Sequence, residues 1–398
     1  MRGVPARQAV LALAVACATA APAAWADPAP AGFPGPSSFV RGAYQAGAVL
    51  GTNDFLNGDN AAGRPIDSYH SVRLEYGRHT DGSRDWHHAF NFPSYGLGIY
   101  GADFFNDEEL GTPTSLYGFF VWPLGRSGRW TFEFETAFGF THNWKSYDPV
   151  DNPHNIALGL GRSVHIEGGP AAAYRLADRW SLIGAATFTH FSNGGTQNPN
   201  HGLNTVAPML YVKYDTSDPV PIPTRRAPSY FPPGWDLTTT FSSGRRNLNL
   251  ELAEPALRGD YLNRDYFIGN LTLGLGRAFS NKTRVVGGLD FCYDESVPDL
   301  IVLDGINRGV NARGEASDKL ELAAFAGYEL TVNRTHALLH LGYKLWYRDV
   351  PGRLPEFYQR LGIKHFVYGD WFVGLNVRFH ELGSADNLEW NVGYAMEI

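Results

Sequence analysis

His190 and Ser192 stand two residues apart, followed by Asn193, Gly194 and Gly195, then by Pro199, Asn200, His201 and Gly202, and finally by Asn204. An imidazole beside a hydroxyl is the minimum for an activated oxygen nucleophile, because the ring nitrogen takes the proton as the oxygen attacks. A side-chain amide on the far side of the imidazole fixes its tautomer. Small residues after the hydroxyl let backbone N–H groups turn toward a developing oxyanion. The spacing therefore suggests a serine esterase with Ser192 as nucleophile, His190 as base, Asn204 as orienting amide, and backbone N–H groups in the Asn193-Gly194-Gly195 turn facing the oxyanion.

These residues need an element that aims them together. From Trp180 to Ser192 the positions in step with His190 and Ser192 are Trp180, Leu182, Gly184, Ala186 and Phe188, while Ser181, Thr187 and Thr189 fall on the other side. Asn204 shares the phase of Val206, Leu210, Val212 and Tyr214 and pairs back across the hairpin. All three side chains thus lie on an apolar strand face. A Ser-Asn-Gly-Gly turn is ordinary in composition, which explains the loop but not the polar groups on that face. Polar side chains facing lipid carry a desolvation cost and mark functional sites.

An apolar outer face with a polar inner one is the pattern of a transmembrane β-barrel. Residues 1–26 read as an export signal: Arg2 and Arg7, an apolar run from Ala9 to Ala21, and the cleavage pattern Ala24-Trp25-Ala26 before Asp27. Cys17 lies inside that run, with Ala14 three residues before it, a poor lipoprotein pattern. Cys292 is then the one remaining thiol and reads as an inert strand residue, with no disulfide or cysteine cluster available. The chain is 44% hydrophobic with only 3 Met, its mean hydropathy is −0.24, and it has no second long apolar run, which excludes a helical membrane protein. Its 10 Trp, 20 Tyr, 25 Phe and 45 Gly suit interfacial girdles and twisted strands. Without the signal, 31 basic face 40 acidic residues, which argues against a nucleic-acid surface.

The alternation predicts strands near residues 39–51, 67–77, 94–105, 113–123, 129–141, 158–175, 180–192, 203–214, 235–243, 266–279, 283–293, 318–332, 335–347, 364–379 and 388–398. Fifteen is odd, and single-chain bacterial barrels have even numbers, so the expectation is roughly 14 strands, within a range of 12–16, in one barrel domain over residues 27–398. The Pro-rich stretch from Pro219 to Pro233 is taken as a loop. Long connections at 142–157, 193–202, 245–265, 296–317 and 348–363 alternate with short ones at 124–128, 176–179, 280–282 and 333–334. Long outer loops and short periplasmic turns put residues 193–202, and the Ser192 site, at the outer rim.

Other constellations compete less well. His165 and Glu167 offer an acid and a base, but with Val164 and Ile166 outward they and Arg175 point into the lumen as a polar filling. His79, His87 and His88 with Asp81 and Asp85 read as a solvated loop rather than a metal site. No Gly-x-Ser-x-Gly elbow, phosphate loop or paired Cys-x-x-Cys occurs.

The stretch from His190 to Asn204, with Pro199-Asn200-x-Gly202 in its loop, resembles the lipid A 3-O-deacylase family, including its longer members called acyloxyacyl hydrolase. The run from Tyr95-Gly96-Leu97-Gly98 through Leu116-Tyr117-Gly118-Phe119-Phe120 to Tyr214 is similar to those longer members. The resemblance implies an outer-membrane barrel that removes an ester-linked acyl chain from the lipid A of lipopolysaccharide without a metal or cofactor. It further implies His190 as base, Ser192 as nucleophile, and oxyanion donation from the backbone of Asn193 and Gly195. The smaller deacylases carry Glu where this chain has Asn204. Outer-membrane phospholipase A has His-x-Ser with a later Asn at the same interval, so a phospholipid ester is the alternative substrate. A non-catalytic porin-like barrel is the alternative class. A homodimer in the membrane is compatible with either.

Overall fold

The computed structural model describes residues 37–217, 222–226, 234–248, 264–353, 355–380 and 384–398. The export signal of residues 1–26, Cys17 and most of the Pro219–Pro233 stretch lie outside the described residues. No described helix is long and apolar enough to cross a membrane, and sixteen antiparallel strands make up the fold.

The strands close into two barrels of eight. The first comprises β1 (Ser38–Val49), β2 (Ser68–His79), β3 (Ser94–Asp103), β4 (Gly111–Ser127), β5 (Trp130–Trp144), β6 (Arg162–Arg175), β7 (Trp180–Ser192) and β8 (Leu203–Asp215). It is sealed where β1 pairs with β8 from Phe39↔Asp215 to Val49↔Thr205. The second comprises β9 (Trp235–Arg246), β10 (Tyr266–Ala278), β11 (Thr283–Asp294), β12 (Leu320–Val332), β13 (Thr335–Trp346), β14 (Phe357–Tyr368), β15 (Trp371–His380) and β16 (Ser384–Glu397). It is sealed by β16 on β9, from Trp390↔Ser243 to Glu397↔Asp236.

The all-β barrel reading and the strand range hold, while three particulars differ. The segment read as one strand over 364–379 belongs to two strands, β14 and β15, turned at Gly369, whose φ of +51° suits glycine. The single barrel read over residues 27–398 is divided, with the first ring complete at Asp215 and the second beginning at Trp235. The Pro-rich stretch, read as a loop, therefore joins two rings. Strand alternation is the same in one ring or two, so the sequence pattern carries no mark of where a ring closes.

Side-chain alternation separates outward-facing from lumenal residues. Val72, Leu74, Leu210 and Val212 are exposed on the outer face of the first barrel, and Leu271, Leu339 and Val392 on that of the second. The alternate positions point inward and carry charge. In the first lumen Arg73 makes a two-point ion pair with Glu167, at 2.6 and 2.8 Å. Arg41 bridges Glu135, at 2.7 and 3.0 Å, and Glu75. In the second lumen Arg360 joins Glu389 at 2.8 Å and Asp290 at 2.9 Å, and Lys364 meets Glu329 at 2.9 Å. An eight-stranded ring is just wide enough for its own side chains to fill. Here they do, leaving in the second lumen a void of about 30 Å³ beside Arg360, Lys364 and Asn376, room for about a water or two.

The barrels touch near both ends. Phe140 of β5 stacks on Trp390 of β16, with ring centroids 6.1 Å apart and planes 14° apart. At the short-turn end Lys282 places its ammonium 4.7 Å from the centre of the Phe90 ring and 5.1 Å from that of Trp122, a cation–π contact. At the long-loop end, the turn after β7 meets β15 and β16.

Candidate active site

The β7–β8 hairpin builds the site. His190 pairs with Asn204 across the ladder, and Ser192 sits two residues on, on the same side of the strand. The imidazole Nδ1 lies 2.7 Å from Asn204 Oδ1, and its Nε2 lies 3.0 Å from Ser192 Oγ. Because an amide oxygen only accepts, Nδ1 carries the proton and donates it to Asn204. That leaves the Nε2 lone pair directed at the hydroxyl, which donates to it. The three side chains thus form one continuous relay.

The face is as the alternation predicts: Trp180, Leu182 and Phe188 are exposed on the outside of β7, while Thr187, Thr189 and Phe191 are buried inside. Ser192 shares the outer phase yet is only 7% exposed. Val164, opposite Ser192 on β6, is also outward and only 5% exposed. Both lie at the end where the second barrel abuts the first.

The loop supports the relay from above. Gly202 has φ +71°, and a Cβ there would stand 3.2 Å from His190 Cε1, so the position needs the residue that brings backbone closest to the ring. The Gly202 N–H donates to the Ala157 carbonyl at 2.9 Å, and Asn53 Nδ2 donates to the Gly202 carbonyl at 3.2 Å.

The two sequence-assigned oxyanion donors differ in state. The Asn193 N–H already donates to Asn200 Oδ1 at 2.9 Å, so it is free for an oxyanion only after Asn200 releases it. The Gly195 N–H has no hydrogen-bond partner among the described residues. Asn200 is a site residue that the sequence reading placed in the loop without a role. Its signal was available, since Asn after a proline in a tight loop commonly bonds nearby backbone.

The competing clusters take structural places. His165 and Glu167 are buried in the lumen, His165 Nδ1 lying 3.0 Å from Ser115 Oγ, but Arg175, read as lumenal, is exposed at the barrel end. His79 lies between Ser94 and Asp215, at 2.7 Å from each. The loop read as solvated instead forms a short helix, Asp85–Ala89, with His87 and His88 buried against Asp81 and the Gly82 backbone. Burial pushes the His87 imidazole down to about 4, an effect that Asp81 only partly offsets. Among the described residues no group of three or more His, Cys, Asp or Glu is placed to hold a metal.

Removing the orienting amide gives a graded test of the relay. Asn204→Leu is expected to lower kcat about tenfold, the scale of one neutral hydrogen bond lost from the base. Asn204→Asp is expected to retain or raise activity, because a carboxylate accepts the same bond and offsets the imidazolium charge. Steady-state turnover of both variants checks it.

Residues 70–214 match the family described as "Lipid A 3-O-deacylase (PagL)", and residues 235–397 match "Acyloxyacyl hydrolase, C-terminal domain". The chain belongs to the lipid A 3-O-deacylase family. The two matches coincide with the two barrels, β2 to β8 and β9 to β16. No curated protein matches the chain. Among solved structures, the Pseudomonas putida toluene transporter TodX shares 10% identity over 92% of this chain and 89% of its own, with a TM-score of 0.18. The translocator domain of the autotransporter NalP from Neisseria meningitidis shares 9% over 98% and 96%, with a TM-score of 0.19. A triple mutant of the Rhodopseudomonas blastica porin shares 10% over 91% and 100%, with a TM-score of 0.16. Likenesses at that level carry no argument, and the strand pairing alone defines the fold. Family membership makes the chain one of a set of ester hydrolases whose substrate class is lipid A, and it puts the Ser192 site inside the deacylase-matched barrel.

Proposed function

We propose that this protein is an outer-membrane serine esterase that removes an ester-linked acyl chain from lipid A. The observation that carries the reading is the Asn204–His190–Ser192 relay on the outward face of the first barrel. The substrate ester approaches from the membrane plane at the outer rim. Ser192 Oγ attacks the acyl carbonyl while His190 Nε2 takes its proton, and Asn204 holds the imidazole and so stabilises the imidazolium by orientation. The tetrahedral oxyanion accepts from the Gly195 N–H and, once Asn200 yields, from the Asn193 N–H. His190 then gives its proton to the leaving alcohol oxygen as the C–O bond breaks. Water, deprotonated by the same imidazole, hydrolyses the acyl-enzyme and releases the fatty acid.

The relay lies on the outward face of the barrel wall, so an acyl chain reaches it along the barrel exterior and not through the lumen. A conducting porin is disfavoured, since an eight-stranded ring is only about wide enough for its own side chains and both lumens hold buried ion pairs.

The test is mass spectrometry of lipid A and phospholipids from a lipopolysaccharide-bearing host expressing the wild type or Ser192→Ala. Loss of one hydroxyacyl chain from lipid A with the wild type alone is the expected result. Lysophospholipid in its place would move the activity to the phospholipase class, and identical lipids from both strains would sink the esterase reading.

A further inference from the structure

The esterase reading uses one barrel and leaves the other without a task. We infer that the second barrel is a positioning element for the oxyanion turn, holding Gly194 and Gly195 in the conformation that presents the Gly195 N–H to the substrate carbonyl. The inference rests on the proposed role of Ser192.

Three observations carry it. Gly194 and Gly195 have φ of +65° and +76°, a left-handed pair that a free Gly-Gly sequence visits as one of many conformations. The turn's own bonds between Asn193 and Thr196 and between Asn193 and Gln197 favour it, and contacts from outside the hairpin add to them. A Cβ built on Gly194 would stand 3.2 Å from Leu388 Cβ and Cδ1 and 3.3 Å from Val377 Cγ2, and one on Gly195 would collide with the Asp386 carbonyl oxygen. The turn is therefore pressed against the outer ends of β15 and β16 with no space between. On its other flank, the Asn198 N–H donates to Asn247 Oδ1 at 2.7 Å, and Asn198 Nδ2 donates to the Asn247 carbonyl at 3.3 Å. The second barrel thus grips the turn on both flanks, at Gly194 and at Asn198. Within the first barrel, Asn193 and Thr196 bond inside the turn and to Asn200 and Gln197, and the Gly159 backbone packs under Gln197 to Pro199; the atoms that crowd Gly194 and Gly195 themselves belong to the second barrel.

The physical consequence is preorganisation. An oxyanion donor contributes to rate only if it already points where the charge develops. A loosened turn keeps the substrate-binding face and the relay, but each turnover must first reorder the glycines. A positioning role therefore lowers kcat and leaves KM unchanged, because the interaction is made in the transition state alone.

The test uses purified full-length protein in detergent micelles. Leu388→Ala removes the Cδ1 contact to Gly194, Asn247→Ala removes the side-chain acceptor of the Asn198 N–H, and Leu388→Met keeps the apolar volume. Lipid A turnover is measured alongside the rate at which an alkyl fluorophosphonate labels Ser192. The expected result is a roughly tenfold fall in kcat for both alanine variants at unchanged KM, parallel slowing of labelling, and recovery in Leu388→Met. Either alanine variant failing to fold leaves the other to decide. Wild-type kcat in both folded variants overturns the inference, as does a rise in KM at constant kcat, which would make these residues substrate contacts. Failure of the wild type to be labelled at Ser192 overturns the esterase reading itself, and with it the role assigned to the second barrel.

Discussion

Ser192→Ala should lower kcat by about 10⁴-fold or more, because nucleophile and base act as one unit in serine hydrolases. The same logic makes the losses non-additive. His190→Ala alone is expected to cost nearly as much as Ser192→Ala, and the double variant no more than either, since the base bonded to the hydroxyl is His190 Nε2, at 3.0 Å. Residual turnover would come from the Gly195 N–H and from substrate binding. Single-turnover kinetics of the three variants decides it: multiplicative losses would mean that His190 and Ser192 act separately and that the relay is not the catalytic device.

The second large effect concerns the lumen of the same barrel. Arg41 is 2% exposed and bridges Glu75 and Glu135; Tyr117 also donates to Glu75, at 2.7 Å. Arg41→Ala leaves Glu135 without its guanidinium partner and Glu75 with only Arg73, 3.9 Å away, inside a closed ring. Breaking a buried pair by removing one partner costs about 3–5 kcal/mol. The expected result is a large drop in the urea midpoint of unfolding, followed by tryptophan fluorescence. Replacing Arg41, Glu75 and Glu135 together by apolar residues of similar volume should recover most of that loss, because the desolvation cost goes with the charges. An unchanged midpoint for Arg41→Ala would mean that the lumen admits enough water to solvate its ions.

The relay was legible in the sequence because it lies within one hairpin. His190, Ser192 and Asn204 are placed by period-two alternation and a single turn, and short-range geometry of that kind is what a strand pattern encodes. The lumenal fate of His165 and Glu167 followed from the same phase. Arg175 kept the phase but sits beyond the filled part of the lumen, which alternation does not measure. Three things were not legible. The turn at Gly369 is a tight reversal inside an apolar stretch, so β14 and β15 read as one long strand. The bond from Asn193 to Asn200 is a side-chain choice within a loop, where period carries no information. The division into two rings depends on which strands pair last, Phe39 with Asp215 and Asp236 with Glu397. Those contacts span more than a hundred and fifty residues each, and no local residue type announces them.

Two closures in one chain also impose an order of events during biogenesis. The first ring has all of its strands once residue 215 has been delivered, before β9 begins at Trp235. Domains made from the front of a chain generally fold first, and the extra loop entropy of one large ring over two small ones is only about 0.6 kcal/mol per doubling. If the first ring closes first, the protein passes through a stage in which the hydroxyl–imidazole–amide relay is assembled and Leu388 has yet to arrive. If the second ring orders the glycine turn, the enzyme is born quiet and becomes fully active only when its last strand seats, so that the membrane meets a competent esterase only after insertion is complete.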